Sequence, residues 1–299
     1  MNSYWLYEVL CKNVTVNQKK TATFEFYGKK LFLTQYPTRR EYLSAVYLTY
    51  FFDTNSVAVP KPILASRMTN TIISEHVAGQ PLISLRREIL IESLKKSILL
   101  LNKIHSLRPR VEFLFAKRLK VSWLDYMLEN IKRLCPFWKR EFKNWDDFEK
   151  ELSILKKKLS KAKECAFLHM DYQSRNLILS GKKIYVTDFE RARYGCCLWD
   201  LASLLFQPSL NLKIDQIEGL AGIYLKKTEY SFNDLLCWAI FRLVRGVERR
   251  LQTFRERGSE YFTSTMDPAL SVLISACEAL DLPNLSRSFC CLRGGLIYN

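Results

Sequence analysis

The stretch 167–206 constrains the fold most, because it combines a short hairpin with polar residues at one end. Two apolar runs enclose a four-residue turn: 177–179, 184–186 and the turn 180–183. Such a pattern is typical of a β-hairpin. If Gly181 and Lys182 form the turn, Asn176 and Asp188 come within one residue of facing each other. The hairpin therefore predicts that Asn176 and Asp188 lie at the same end.

A second pattern leads into this hairpin. His169-x-Asp171, followed after four residues by Asn176, has the H-x-D-x-x-x-x-N spacing of a kinase catalytic loop. In such a loop the Asp accepts the proton of the attacking hydroxyl, and the Asn oxygen is a hard ligand suited to Mg²⁺. Asp188 opens a D-F-E string, which stands where a kinase has its metal-binding D-F-G. The pattern predicts phosphoryl transfer from ATP, with Asp171 as the catalytic residue and Asn176 and Asp188 as Mg²⁺ ligands.

The residues around these motifs indicate the acceptor and the supporting side chains. The string D-L-A-S-L-L begins at Asp200, only 12 residues (200 − 188) after Asp188, and no A-P-E string follows. This leaves little room for the long segment on which protein kinases bind a peptide, so a small-molecule acceptor is expected. Asp200 is expected to cap its helix and to hydrogen-bond the catalytic loop. His169 is a supporting residue, and Arg175 is expected to reach Asp171 or the transferring phosphoryl group, or to form a surface ion pair.

Together these strings resemble the aminoglycoside and choline phosphotransferase superfamily. The likeness is carried by H-x-D with Q-S-R-N, by D-F-E-x-A-x-x-G and by D-L-A-S-L-L. Within the superfamily they are most similar to bacterial sugar kinases of the N-acetylmuramate and N-acetylglucosamine type. The resemblance implies an ATP- and Mg²⁺-dependent kinase that phosphorylates a hydroxyl of a sugar or amino sugar. Departures at Met170, Glu190, Trp199 and the Cys196-Cys197 pair leave the identity of the sugar open.

The N-terminal part of the chain predicts a small antiparallel sheet. Runs rich in β-branched and aromatic residues predict three strands and a tight turn: 4–9, 21–26, 31–36 and the turn 28–30. No Gly precedes Gly28, so a Gly-rich phosphate loop is absent from the sequence. Lys20 is expected to bind the phosphates with its side chain instead, or to be a solvated turn lysine. Thr34 stands where kinases carry their phosphate-binding Lys.

A helix is predicted after this sheet. Thr38-x-x-Glu41 forms a capping box at its start. Glu41 also stands where the kinase αC glutamate would, but with Thr34 in place of its lysine partner the capping role is favoured. Helical spacing predicts a buried face for the following residues: Leu43, Val46, Tyr47, Tyr50 and Phe51.

Residues 75–82, with the sequence E-H-V-A-G-Q-P-L, resemble the hinge of the superfamily, E-x-V-x-G-x-P-L. The resemblance implies that the backbones of Glu75 and Val77 hydrogen-bond adenine, although an ordinary exit loop has the same pattern. We therefore predict an α+β, two-lobed protein-kinase-like fold. Its lobes are a small antiparallel-sheet N-lobe that binds the nucleotide, 1–77, and a large, mainly helical C-lobe for catalysis and acceptor binding, 78–299.

The C-lobe sequence is predicted to be almost wholly helical after residue 206. One helix covers 231–257 and carries four arginines that face either the cleft or solvent: Arg242, Arg245, Arg249 and Arg250. Choline and aminoglycosides are cationic, so they would favour carboxylates here. The arginines favour a neutral or anionic sugar instead. His105, near the end of an earlier helix, is expected to cap or pack rather than to react.

Composition limits the remaining classes. The chain has 299 residues, 48% of them hydrophobic, so it can bury a sizeable core. The net charge is +16, but the basic residues alternate with acidic ones as on solvated helical faces. No nucleic-acid-binding motif is present, so no nucleic-acid partner is expected.

Nine cysteines without a C-x-x-C pair predict reduced thiols, and no apolar run approaches the ~18 residues of a membrane helix. A cytoplasmic protein without a transmembrane segment is expected, and the sequence does not indicate its oligomeric state.

Other functions stay open. A choline- or aminoglycoside-type phosphotransferase would have the same motifs with a different acceptor. A pseudokinase or nucleotide-binding interaction module would explain the missing lysine at Thr34 and the missing Gly-rich loop. A nucleic-acid-binding protein would explain only the net charge, and salt-sensitive binding would be its mark.

Overall fold

The computed structural model describes residues 20–108, 136, 138–142, 144–160, 166–257 and 265–297. The strands are β1 (Lys20–Phe26), β2 (Lys29–Gln35), β3 (Pro62–Ser66), β4 (Thr71–Glu75), β5 (Gln80–Pro81), β6 (Ala166–Leu168), β7 (Leu177–Ser180), β8 (Lys183–Val186) and β9 (Arg193–Gly195). The longer helices are α1 (Arg39–Thr54), α2 (Arg87–Ser106), α3 (Trp145–Leu159), α4 (Leu198–Leu205), α5 (Ile214–Leu225), α6 (Phe232–Arg257), α7 (Asp267–Ala279) and α8 (Pro283–Ile297).

The N-terminal sheet is antiparallel, with the strand order β1-β2-β4-β3. Its first turn comprises Tyr27 and Gly28, whose φ angles are 49° and 69°. Positive φ at both central residues is the geometry of a type I′ hairpin, so the turn begins one residue earlier than predicted. The predicted strand 4–9 lies outside the described residues. β3 was not predicted, and it is an edge strand that begins at Pro62, where a missing N–H is tolerated.

Helix α1 connects the sheet to the rest of the molecule. The hydroxyl oxygen of Thr38 accepts a hydrogen bond from the Glu41 N–H at 3.2 Å, so the predicted cap is confirmed. The buried face was predicted only in part. Four of the predicted residues are half-buried against the core: Leu43, Val46, Tyr47 and Phe51. The fifth, Tyr50, is 51% exposed, and the fully buried positions are Tyr42, Ser44, Ala45, Leu48 and Phe52. The helix has two partners, the sheet and the C-lobe, and Phe52 reaches Phe189 with 4.7 Å between ring centroids.

The rest of the described chain is mainly helical and shares one large core. Residues 138–142 and Phe148 add an aromatic cluster to it, in which the buried Trp138 packs on Phe142 and Phe289. The Trp138 ring therefore belongs to the core rather than to a ligand pocket. Two small antiparallel sheets, β5-β7-β8 and β6-β9, lie between the helices. Across the described ranges, no helix is both long and apolar enough to cross a membrane.

Candidate active site

The hairpin of β7 and β8 has the predicted register. Leu177 pairs with Val186 and Ser180 with Lys183, which makes Gly181 and Lys182 the turn. Gly181 has a φ of 56°, which a glycine adopts without the steric cost of a Cβ. Beyond the last pair, the Thr187 N–H donates to the Asn176 carbonyl at 3.0 Å. The hairpin therefore places Asn176 opposite the residue that precedes Asp188, as predicted.

Asp171 lies immediately before this hairpin end and is surrounded by donors. Its carboxylate accepts hydrogen bonds from Gln173 Nε2 at 2.6 Å, Arg175 Nη2 at 3.0 Å and Asn176 Nδ2 at 3.0 Å. Burial raises the pKa of Asp171, but the positive charge and hydrogen bond of Arg175, together with the hydrogen bond of Asn176, lower it by more, so the net pKa is below its ordinary value. Asp171 is therefore ionised at neutral pH and can accept a proton.

The donor set suits a Mg²⁺ ion. The Asn176 amide nitrogen donates both to the Asp171 carbonyl, at 2.9 Å, and to its carboxylate, which leaves the amide oxygen as the atom available to a cation. Asp188 is exposed and has a φ of 68°, an unusual backbone for a non-glycine residue. No group of three or more His, Cys, Asp and Glu side chains forms a metal cluster in the described ranges. Mg²⁺ commonly binds through one or two carboxylates plus substrate phosphates, and Asp188 with Asn176 fits that mode.

His169 connects the catalytic loop to the segment that carries Asp188. Its buried ring donates from Nε2 to the Thr187 carbonyl at 2.7 Å and accepts from the Asp171 N–H at Nδ1, at 3.2 Å. Because a carbonyl can only accept, Nε2 carries the proton. The ring also lies 5.1 Å from that of Phe189. His169 therefore fixes the position of Asp171 relative to Asp188.

Asp200 is fully buried and holds the same loop through hydrogen bonds to its backbone. Its carboxylate accepts from the His169 N–H at 2.6 Å, the Met170 N–H at 2.9 Å and His105 Nε2 at 3.2 Å. The expected bonds to the catalytic loop are thus present. The expected helix cap is wrong, since α4 has Cys197 at its N-cap position without a side-chain cap, and the carboxylate turns towards the loop instead.

Several contacts of the loop were not predicted. Gln207 Oε1 accepts from both the N–H of Ser174, at 3.1 Å, and its hydroxyl, at 2.7 Å. The Trp199 indole N–H donates to the Met170 carbonyl at 3.2 Å, and Met170 has a φ of 72°. Trp199 was noted only as a departure from the family pattern, and no sequence pattern singles out Gln207.

The predicted nucleotide-binding residues lie apart from this loop. The Glu75 N–H donates to the Lys61 carbonyl at 2.9 Å, and Glu75 and Val77 line a cavity of about 680 Å³ that does not include Asp171 or Asp188. Lys20 begins β1 opposite Gln35, and its side chain lies outside the described residues. Thr34 is buried in β2 opposite Ile72. This strand position, where kinases carry their phosphate-binding lysine, therefore holds a short uncharged side chain.

A second cavity, of about 910 Å³, opens beside Asp171. Arg175, Gln173 and Trp199 form part of its lining next to the catalytic loop. Six further arginines line it: Arg191, Arg193, Arg242, Arg245, Arg249 and Arg250. Among the described lining residues, Asp171 carries the only carboxylate. The arginines of α6, for which the sequence left both the cleft and solvent open, therefore face the cleft.

The model of the phosphotransferase enzyme family (APH) matches residues 21–232, and the chain belongs to this family. Membership confirms the predicted superfamily and the predicted enzyme class, an ATP-dependent phosphotransferase with an alcohol group as acceptor. No curated protein matches the chain significantly.

Solved structures confirm the protein-kinase-like fold. A choline/ethanolamine kinase family protein from Mesorhizobium loti is 14% identical, with a TM-score of 0.59 over 98% of this chain and 99% of its own. Choline kinase LicA from Streptococcus pneumoniae is 15% identical, with a TM-score of 0.60 over 91% and 98%. A thermostable mutant of aminoglycoside phosphotransferase APH(4)-Ia is 12% identical, with a TM-score of 0.58 over 89% and 92%. At these identities the likeness concerns the fold.

Proposed function

We propose that this chain transfers the γ-phosphate of Mg·ATP to a hydroxyl of a small molecule, in the first place a sugar or amino sugar. The observation that carries the proposal is the Asp171 carboxylate, which is ionised, hydrogen-bonded to Asn176 and open to the 910 Å³ cavity. A hydroxyl in that cavity can approach Asp171, whereas Asp188, at the neighbouring hairpin end, does not line the cavity.

In this proposal Asp171 orients the acceptor hydroxyl and takes its proton as the oxygen attacks the γ-phosphorus. Arg175 is the donor that can yield its place to the hydroxyl, because its side chain is 60% exposed and only one hydrogen bond holds it to Asp171. Asn176 and Asp188 would hold Mg²⁺, which neutralises charge on the phosphates when bound. His169 and Asp200 position the loop through the backbone.

The nucleotide would bind between the lobes, whose boundary we propose at residues 77 and 78. There the backbones of Glu75 and Val77 would meet adenine, with Lys20 near the phosphates. The hinge role of this segment is supported by Gly79, where a Cβ would collide with the Leu179 carbonyl oxygen and with Ile178. Only glycine allows the linker to pass so close to β7.

The arginine-lined cavity supports a neutral or anionic acceptor over a cationic one. Choline and aminoglycosides, which the similar solved structures name, are thus the second candidates, supported by the fold and opposed by the charge of the cavity. A pseudokinase is the third, because Thr34 is buried where a phosphate-binding lysine would stand. The described cysteines are free thiols, which supports a cytoplasmic location.

Phosphorus NMR of Mg·ATP with pooled acceptors tests the proposal. The pool contains amino sugars, N-acetylmuramate, other hexoses, choline and aminoglycosides, and Asp171→Asn is the control. We expect a new phosphate ester that the variant forms roughly 10²- to 10⁴-fold more slowly, the contribution typical of a general base. If both proteins bind ATP and neither forms an ester, the pseudokinase candidate replaces the enzyme for this pool.

A further inference from the structure

The cavity beside Asp171 contains more positive charge than is needed to orient one hydroxyl. Helix α6 contributes Arg242, Arg245, Arg249 and Arg250 to it, and the segment around β9 contributes Arg191 and Arg193. Asp171, the only carboxylate among the described lining residues, already accepts a hydrogen bond from Arg175. The described lining therefore has a large excess of guanidinium groups over carboxylates.

The arrangement on α6 directs these groups to one place. Arg242, Arg245 and Arg249 are spaced i, i+3 and i+7, so they share one face of the helix. Gly246 lies on the same wall of the cavity, and a Cβ there would come within 2.7 Å of Arg250 Nη1. The Arg250 side chain therefore runs back along α6 over Gly246, towards the preceding turn, which carries Arg242. A glycine is unfavourable inside a helix, and here it makes room for a charged group.

The arginines also affect one another electrostatically. The pKa of Arg242 is lowered to about 10, with burial as the largest cause; the nearby charges of Arg250 and Arg175 add to the shift, and Asp171 and Asp200 oppose it. At neutral pH Arg242 is still protonated. Like charges held this close repel one another, and an anion bound between them removes that repulsion.

We propose that the acceptor carries an anionic oxygen group, a phosphate or a carboxylate, which the arginines of α6 bind while its hydroxyl faces Asp171. This inference rests on the proposed kinase function and names its acceptor class, a sugar phosphate or a sugar acid. Planar guanidinium groups bind either anion through paired hydrogen bonds. Arg175, next to Asp171, is placed to meet the transferred γ-phosphate. Arg249 and Arg250 lie two helical turns beyond Arg242 on α6, where they would meet a second anionic group.

The first experiment compares acceptors in matched sets with Mg·ATP. One set consists of a hexose, its 6-phosphate and its uronic acid, and a second of N-acetylglucosamine, its 6-phosphate and N-acetylmuramate. We expect kcat/KM for an anionic member to exceed that of its neutral partner by about 100-fold, as expected for two charge-assisted hydrogen bonds. The phosphate and carboxylate arms then tell which anion is bound.

The second experiment changes the cavity without touching Asp171. Arg249→Ala should raise KM for the anionic acceptor about tenfold and leave KM for ATP unchanged. Arg287→Ala is the control, because it removes the same charge from an exposed position on α8. Gly246→Ala should displace Arg250 and raise the same KM. Its control is Gly222→Ala on α5, where a Cβ has open space.

The outcomes separate the two claims. If no acceptor is phosphorylated but inorganic phosphate or a sugar phosphate binds to Asp171→Asn in calorimetry, and Arg249→Ala weakens that binding, the kinase function fails and the anion site stands. If the neutral hexose or N-acetylglucosamine reacts as efficiently as the anionic members of its set, the anion site is refuted and the kinase stands. A rise in KM for ATP rather than for the acceptor in Arg249→Ala, or the absence of any anion binding, also overturns the anion site.

Discussion

Asp200→Asn tests the support of the catalytic loop most directly. In the structure one oxygen of Asp200 accepts from the His169 N–H and from His105, and the other accepts from the Met170 N–H. An asparagine keeps one of these oxygens and puts an amide NH₂ in place of the other. Whichever way the amide turns, its NH₂ then faces at least one backbone N–H that donates to Asp200 in the wild type.

The cost follows from that mismatch. A hydrogen bond to a charged group contributes about 1.5–3 kcal/mol, and a buried donor left without a partner costs about 1–3 kcal/mol. The lost bond and the unpaired donor are partly the same energy, so the two values cannot simply be added. We expect Asp200→Asn to lower the free energy of unfolding by about 3 kcal/mol. That is a large part of the roughly 5–15 kcal/mol typical of a folded protein.

Urea unfolding followed by tryptophan fluorescence measures this difference, with the m-value as a check that the unfolding transition is unchanged. Asp147→Asn is the matched control, because Asp147 forms a 3.2 Å ion pair with Lys150 on the exposed face of α3. That pair should contribute less than about 1 kcal/mol. If Asp200→Asn unfolds within about 0.5 kcal/mol of the wild type, the three contacts do not stabilise the fold and our reasoning is wrong.

Three further predictions use other parts of the molecule. In Arg175→Gln the pKa of Asp171 should rise, because the charge that lowers it is gone. In the proposed mechanism activity needs the ionised carboxylate, so the acid limb of the kcat/KM profile should move to higher pH, and a limb that stays in place contradicts the assignment of Asp171 as the base. Gly79→Ala should lower the melting temperature, because its Cβ meets backbone that cannot move aside, whereas Gly219→Ala, with open space around it, should not. Cys290 and Cys291 are exposed and should be alkylated rapidly in the folded protein, while burial raises the pKa of Cys237 to about 11 and also raises that of Cys277. Peptide mapping checks this order, and equal labelling of all four would contradict the described burial.

The sequence predicted what depends on neighbouring residues. The hairpin register followed from Gly181 and the apolar runs beside it, and the cap at Thr38 followed from a four-residue pattern. Both are short-range interactions, for which the sequence contains all the partners.

Features that depend on distant partners were predicted less well. The Asp200 carboxylate can accept hydrogen bonds from the N–H groups of its own helix or from those of the catalytic loop. Only the packed fold determines that it bonds to the loop and not to the helix. Tyr50 has the helical spacing of a buried residue, but α1 contacts both lobes and its buried face is rotated away from Tyr50. The arginines of α6 share a face by periodicity, yet periodicity does not tell whether that face meets water or a cavity.

The hydrogen bond from His169 to Thr187 has a consequence for control of the enzyme. It joins the loop of Asp171, the proposed proton acceptor, to the segment of Asp188, the proposed Mg²⁺ ligand, and Phe189 packs between His169 and Phe52. Withdrawing that segment would expose Phe189 and leave a buried imidazole without its acceptor. We therefore expect an enzyme that is competent as soon as it folds, with progress curves that start without a lag. How much product forms would then depend on gene expression and on the supply of acceptor, not on a switch inside the protein.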